Sequence, residues 1–408
     1  MLKPGWIITA IFPMFPLWWL LGLGGFVYPI AGMVLIGWVL GHRRLMIPPS
    51  TGLFVLFLGW VLLSFTQLDS GPRGIVFFYR FFAYVAAVGL LIYVINERRV
   101  TREWIIRMVG IFWIMCVIGG WVGLLIPTFR MPATLASILF PRSLSQNEFL
   151  GQLIRPGVAQ LQVFLGFPLP RPKTFFGYTN DWGGNLGLLT PFFVVAFLRT
   201  KNLRRRRIGK IMLVVAVPPI VISVNRGLWI SIALYVVYLA VRGLMAGRAK
   251  QAGAGLVLGA IVLGIVVSPL GSIVQSRLES TDADTREGIY QEAIDGAFER
   301  PILGWGGPRP SSNPESPAIG THGHIFLLIF SHGFVGAALF CAWLLAAVVL
   351  AARRDDLDSV HLSAVLVIGV VQMLFYNLLP VSIPLMALAL GLCLRGPDPT
   401  EQPVTAIA

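Results

Sequence analysis

The sequence predicts an all-α fold: a polytopic integral membrane protein with about twelve spans and two long loops on one side. Two observations carry this. The 408 residues are 56% hydrophobic and only 12% charged, with a mean hydropathy of +0.78, against about 25% charged residues in a soluble domain. The basic residues also fall in short runs between apolar stretches, which is the pattern of membrane topology. A formal charge of +14 would serve nucleic-acid binding only if the basic residues gathered on one soluble face, and they do not.

A span needs about 20 apolar residues, fewer if it is broken or tilted. The candidates are 6–23, 25–41, 51–67, 75–96, 104–126, 176–198, 209–224, 227–243, 253–273, 322–351, 361–378 and 381–395. The first follows a single Lys without an A-x-A-like cleavage site, so it reads as a retained span. "LGLGGF" joins it to the second as a tight helical hairpin. Pro218-Pro219 is expected to kink or break the seventh.

Lys and Arg set the orientation. With Lys3 in the cytoplasm and sides alternating, cytoplasmic segments hold 19 of the 32 basic residues although they are short. The opposite side holds 11, nine of them in the two long loops, where the bias does not operate. Both termini are then cytoplasmic. The three cysteines, Cys116, Cys341 and Cys393, all lie in apolar runs without paired spacing. They predict packing residues, neither a disulfide framework nor a zinc site.

Two segments, 127–175 and 274–321, are too long to be connectors. In the first, "NEFLGQLIRPGVAQLQVFL" spaces apolar residues near helical period and reads as an interfacial or re-entrant helix. In the second, "DADTREGIYQEAIDGAFERP" predicts a helix near 285–300, capped by Asp284 with Glu287 three residues on and stopped by Pro301.

Arginines at membrane depth or at outer span mouths need an explanation, because acidic partners inside the spans are absent. Arg226 sits in the short turn of "VISVNRGLWIS", Arg80 lies five residues into the fourth span, and Arg286 stands in the first turn of the outer-loop helix, where the dipole disfavours a cation. A snorkelling side chain is the plain alternative for Arg80. Arginine clamps phosphate oxygens in a bidentate manner, so arginines converging outside the membrane point to a phosphorylated or diphosphate ligand, or else to lipid headgroups.

Three of the five histidines share "THGHIFLLIFSHGFVG". His322 and His324 stand at the outer entry of the tenth span. On a helix, i and i+2 point about 200° apart, so a shared metal would require an extended segment. A histidine at a span mouth suits a general base near neutral pH, whereas His332, deeper in, suits an interhelical hydrogen bond. No Walker loop, DxD, HExxH or GxSxG occurs.

In four segments, the chain resembles the O-antigen ligase and polymerase family. "THGHIFLLIFSHGFVG" is similar to its His-Asn-x-x-Leu…Gly-x-x-Gly pattern at His322, Gly333 and Gly336, with Gly323 where Asn is usual and Ser331 where an acid is common. "DTREGIYQEAIDGAFERPILGWGGP" matches its Arg-containing helix ending in Pro-x-x-Gly-x-Gly at Arg286, Pro301, Gly304 and Gly306. "VNRGLWIS" resembles the Ser-Arg-Gly segment at Arg226, with Asn225 for Ser. "RPKTFFGYTNDWGGNLG" resembles the Gly-x-x-x-Asn segment, matching Arg171 and Asn180.

The resemblance implies a GT-C-like glycosyltransferase of the bacterial inner membrane with a periplasmic active site. Such an enzyme moves a glycan from undecaprenyl diphosphate to a sugar of lipid A–core, inverting, without cofactor or metal and among membrane lipids. Arg226 and Arg286 would clamp the diphosphate and His322 would act as base. Arg80, Arg171, Asn180 and His324 would be further substrate contacts. A polymerase of the same family differs only in its acceptor. A twelve-span transporter would require two matching halves, and no repeat is evident.

Overall fold

A computed structural model describes residues 3–140, 148–164, 167–267, 282–311 and 317–398. The chain is mostly helical. Helices α1 (Trp6–Ile11) and α2 (Phe15–Leu20) replace the expected first span, broken where Pro13 and Pro16 interrupt it. Then come α3 (Val27–Leu40), α4 (Thr51–Ser64), α5 (Gly71–Asn96) and α6 (Arg102–Leu125). Two short helices, α7 (Leu135–Leu139) and α8 (Glu148–Ile154), precede a hairpin of β1 (Ala159–Phe164) and β2 (Phe167–Pro172). The bundle resumes with α9 (Thr179–Phe193), α10 (Leu203–Ile222), α11 (Arg226–Met245) and α12 (Ala249–Val267). It ends with α13 (Asp282–Glu299), α14 (His324–Ala352), α15 (Leu357–Gln372) and α16 (Ser382–Arg395).

Five helical segments are long and apolar enough to cross a bilayer: Gly71–Asn96, Arg102–Leu125, Thr179–Leu198, Arg226–Met245 and His324–Ala352. Shorter apolar helices cover Gly24–Leu40, Thr51–Gln67, Leu357–Gln372 and Ser382–Arg395. This composition indicates an integral, polytopic membrane protein. The core is centred on α5 and α16, which pack together, with α3 on the far side of α5. Almost every residue of α16 is buried, as expected of a helix apolar all round.

Four local expectations change. The helical reading of the first long segment holds only for α8. After Pro156-Gly157 the chain alternates Gln160 and Gln162 with the exposed Leu161 and Val163, and forms a strand antiparallel to β2. In β2 the prolines fall at alternate positions, 168, 170 and 172, leaving Leu169 and Arg171 between them as donors. Helix α10 is continuous through Pro218-Pro219, so of the expected kink or break there is no break. The Val215 carbonyl, which Pro219 cannot serve, takes the Trp121 indole N–H instead, at 2.8 Å.

Helix α15 stops at Gln372 rather than near 378. The carbonyls of Met373 and Tyr376 accept the amides of Ile325 and His324 at 3.0 and 2.8 Å, satisfying orphan donors at the start of α14. Helix α13 begins at Asp282, ahead of the expected cap at Asp284. The side chains of residues 282–287, Arg286 and Glu287 included, lie outside the described residues, as do residues 268–281 and 312–316 of the second long loop.

Candidate active site

At the end of the bundle where α5, α9 and α14 begin, a cavity of about 1000 Å³ opens. One wall is aromatic, formed by Phe15, Trp19, Phe175 and Phe176, with Phe15 stacked on Phe176 and Trp19 set edge-on to Phe175. Phe175 holds a left-handed backbone (φ 78), a strain of roughly 1–3 kcal/mol that such ring packing maintains.

The lining is also cationic. Arg73 and Arg80 come from α5, Arg171 from β2 and Arg309 from the loop after α13. Arg171 is held at both ends, donating to the Ser223 carbonyl at 2.8 Å and to Gln162 Oε1 at 2.6 Å. Arg73 donates to Asp69 at 2.6 Å and to the carbonyls of Trp305 and Gly307 at 2.9 and 2.7 Å. Asp69 also pairs with Arg309. The Arg73 hydrogen bond, aided by the charges of Arg73 and Arg309, holds the Asp69 carboxyl below the usual carboxylate range. The guanidinium groups of Arg300 and Arg309 both stack on Trp305, 3.8 and 3.9 Å from its ring centre. Burial pushes the Lys173 ammonium down, with Arg130 adding to the effect.

Arg80 differs from these. Among the described residues it makes no ion pair or hydrogen bond, and a side chain at Gly307 would come within 4.0 Å of its Nη1. Its guanidinium therefore lines the cavity beside the outer loop with no described residue claiming its donors, which suits an anionic ligand.

His322 lies outside α14, half-buried and lining the cavity. The Thr321 hydroxyl donates to the Ala318 carbonyl at 2.6 Å, so it can only accept from His322 Nδ1 at 3.1 Å. This geometry favours the Nδ1–H tautomer, in which Nε2 carries the ring's lone pair. Gly323 (φ 75) then turns the chain. His324 points into the core, fully buried, 3.3 Å from both Tyr84 Oη and Asn377 Oδ1; it does not line the cavity. His332 is also buried and reaches Ser64 Oγ at 2.8 Å, the interhelical hydrogen bond expected of it.

Of the residues singled out in the sequence, the structure brings Arg80, Arg171, Asn180 and His322 to one cavity. Arg226 opens α11 outside the lining, one residue after Asn225, whose side chain caps that helix and accepts from cavity-lining Tyr376. Sequence reasoning missed Arg73, Arg309 and Asp181 as lining residues. The signal for Asp181 was its place beside Asn180; that for Arg309 was the Gly-rich turn before it. Among the described residues no three His, Cys, Asp or Glu side chains gather to hold a metal ion.

Fold and site together define an integral membrane protein with a cationic cavity at one end of its helical bundle. Residues 219–341 match the family model described as O-antigen ligase, and this supports the O-antigen ligase/polymerase family read from the motifs. The matched segment contains Arg226, Arg309, His322 and the four motif glycines. No curated protein matches the chain.

Proposed function

We propose that the protein is a glycosyltransferase with a GT-C-like architecture in the bacterial inner membrane. It moves O-antigen glycan from undecaprenyl diphosphate to a sugar of lipid A–core at the periplasmic face. The observation that carries this reading is the meeting, in one cavity, of His322 with several arginines, among them Arg80, with which no described carboxylate pairs. Arg80 is a principal diphosphate contact, with Arg73, Arg171 and Arg309 around it; Arg226 and Arg286 keep the clamping roles that the motifs imply.

The acceptor hydroxyl oxygen attacks the anomeric carbon as the bond from that carbon to the diphosphate oxygen breaks. His322 Nε2 takes the hydroxyl proton, and the carrier leaves as polyprenyl diphosphate, its growing charge met by the arginines. One displacement inverts the anomeric centre. The aromatic wall offers an apolar side for the carrier's first prenyl units.

His322→Ala is expected to abolish transfer while the protein inserts and accumulates normally. A normal lipopolysaccharide ladder from well-expressed variant would refute the assignment. Activity is also expected to survive EDTA; strict dependence on a divalent ion would turn the histidines into ligands. Reconstitution with a lipid-linked glycan and either lipid A–core or a second carrier-linked glycan separates ligase from polymerase.

A further inference from the structure

The cavity that gathers four arginines also receives a carboxylate for which a diphosphate site has no use. Asp181, in the first turn of α9, is the one Asp or Glu among the described lining residues. Among the described residues it makes no ion pair, and the nearby Lys173 gives its ammonium to the Gly177 carbonyl at 3.1 Å instead. The Asp181 carboxyl meets the Tyr178 amide at the start of α9, but the helix is tied to its neighbours by other groups. The Asp181 backbone carbonyl accepts from Asn185 at 2.8 Å, and Asn185 accepts from Ser382 at 3.0 Å, tying α9 to α16 without it.

A carboxyl group offers acceptor oxygens to the hydroxyls of a ligand, whereas a diphosphate offers it no donor. The part of the ligand that suits it is therefore one that presents donors. In a lipid-linked glycan those donors are sugar hydroxyls. We propose that Asp181 is the sugar-reading group of the cavity, its carboxylate accepting hydrogen bonds from hydroxyls of the glycan held between the arginines and His322. This rests on the glycosyltransferase reading above.

The test uses the full chain in lipid vesicles with Asp181→Asn and Asp181→Ser, the second being available should the first fail to insert. Bare polyprenyl diphosphate and glycan-bearing polyprenyl diphosphate compete for binding, and transfer is followed separately. The variants are expected to bind the bare carrier as tightly as wild type, because the diphosphate offers this carboxyl no donor. They lose the wild-type preference for the glycan-bearing carrier, and transfer falls about tenfold or more, the loss expected from removing one charged acceptor. Unchanged preference overturns the proposal, as does loss of bare-carrier binding in parallel, which marks a merely structural residue. If wild type transfers no glycan, the glycosyltransferase reading fails, while the preference between the two carriers still decides the role of Asp181.

Discussion

At the scale of single residues, the informative fact about Arg80 is what the fold does not do with it. A cation set among apolar helices is costly unless paired, and no described carboxylate pairs with it. Function then keeps it there, and its removal should trade activity for stability. Arg80→Met retains the stem's packing and deletes the charge. It is expected to raise the unfolding temperature in detergent while weakening donor binding about tenfold or more, as for a lost charge-assisted contact. A fall in unfolding temperature would make Arg80 a structural residue. His322 and Arg80 were legible in the sequence because each is a rare polar group in an apolar run. Asp181 and Arg309 were not, because cavity lining depends on how α9 and the outer loop are set against α5. His324 was visible as a histidine, but the left-handed Gly323 that turns it inward is a backbone fact, without a signature in residue spacing.

Helix α14 is not one rod: Gly333 breaks it with φ 70 and ψ 179. The carbonyls exposed at the break, Phe330 and Ser331, accept the amides of Trp305 and Gly306 at 2.9 and 2.8 Å, and the Phe334 amide reaches Pro301 at 2.8 Å. The two glycine motifs thus fit each other: "PILGWGG" docks into the broken helix, and Gly304 (φ 63) passes against the Phe330 carbonyl. Each motif could be read from the sequence; that one completes the backbone hydrogen bonding of the other could not. A Cβ at Gly333 would stand 2.2 Å from the Ile302 carbonyl in a disfavoured conformation. Gly333→Ala is therefore expected to destabilise by about 1–3 kcal/mol or more, measured as a lower unfolding temperature. The same loop is latched to α5 through Asp69. Because that carboxyl is held below its ordinary range, its contribution is present above the unfolded value and is lost as pH falls through the lowered one. Protease resistance of the 300–311 loop should hold from neutral to mildly acidic pH and drop only in stronger acid. Asp69→Asn should show the open behaviour already at neutral pH, and an unchanged cleavage pattern would remove the latch.

For the whole molecule, ion pairs cluster at the end away from the cavity: Arg102 with Asp356 at 3.0 Å, Arg199 with Asp358 at 3.2 Å, Arg205 with Glu103 at 2.6 Å, Arg242 with Asp355 at 2.9 Å and Arg395 with Asp398 at 2.9 Å. Arg395 also donates to the carbonyls of Val94, Glu97 and Val100, sealing α5 to α16. This is the end that also carries most of the short basic connectors, so the charge bias predicts a cytoplasmic position for it and an outer one for the cavity. The assignment decides whether the cavity can meet a carrier-linked glycan outside the membrane, and it can be tested without any substrate. The native cysteines are buried or half-buried, which leaves a low background for thiol labelling. A membrane-impermeant thiol reagent applied to spheroplasts should label Phe167→Cys, at the exposed tip of the hairpin beside the cavity. It should reach Arg353→Cys, exposed at the opposite end, only after the membrane is permeabilised. The reverse pattern would turn the cavity toward the cytoplasm and leave the proposed transfer without access to an outer-leaflet acceptor.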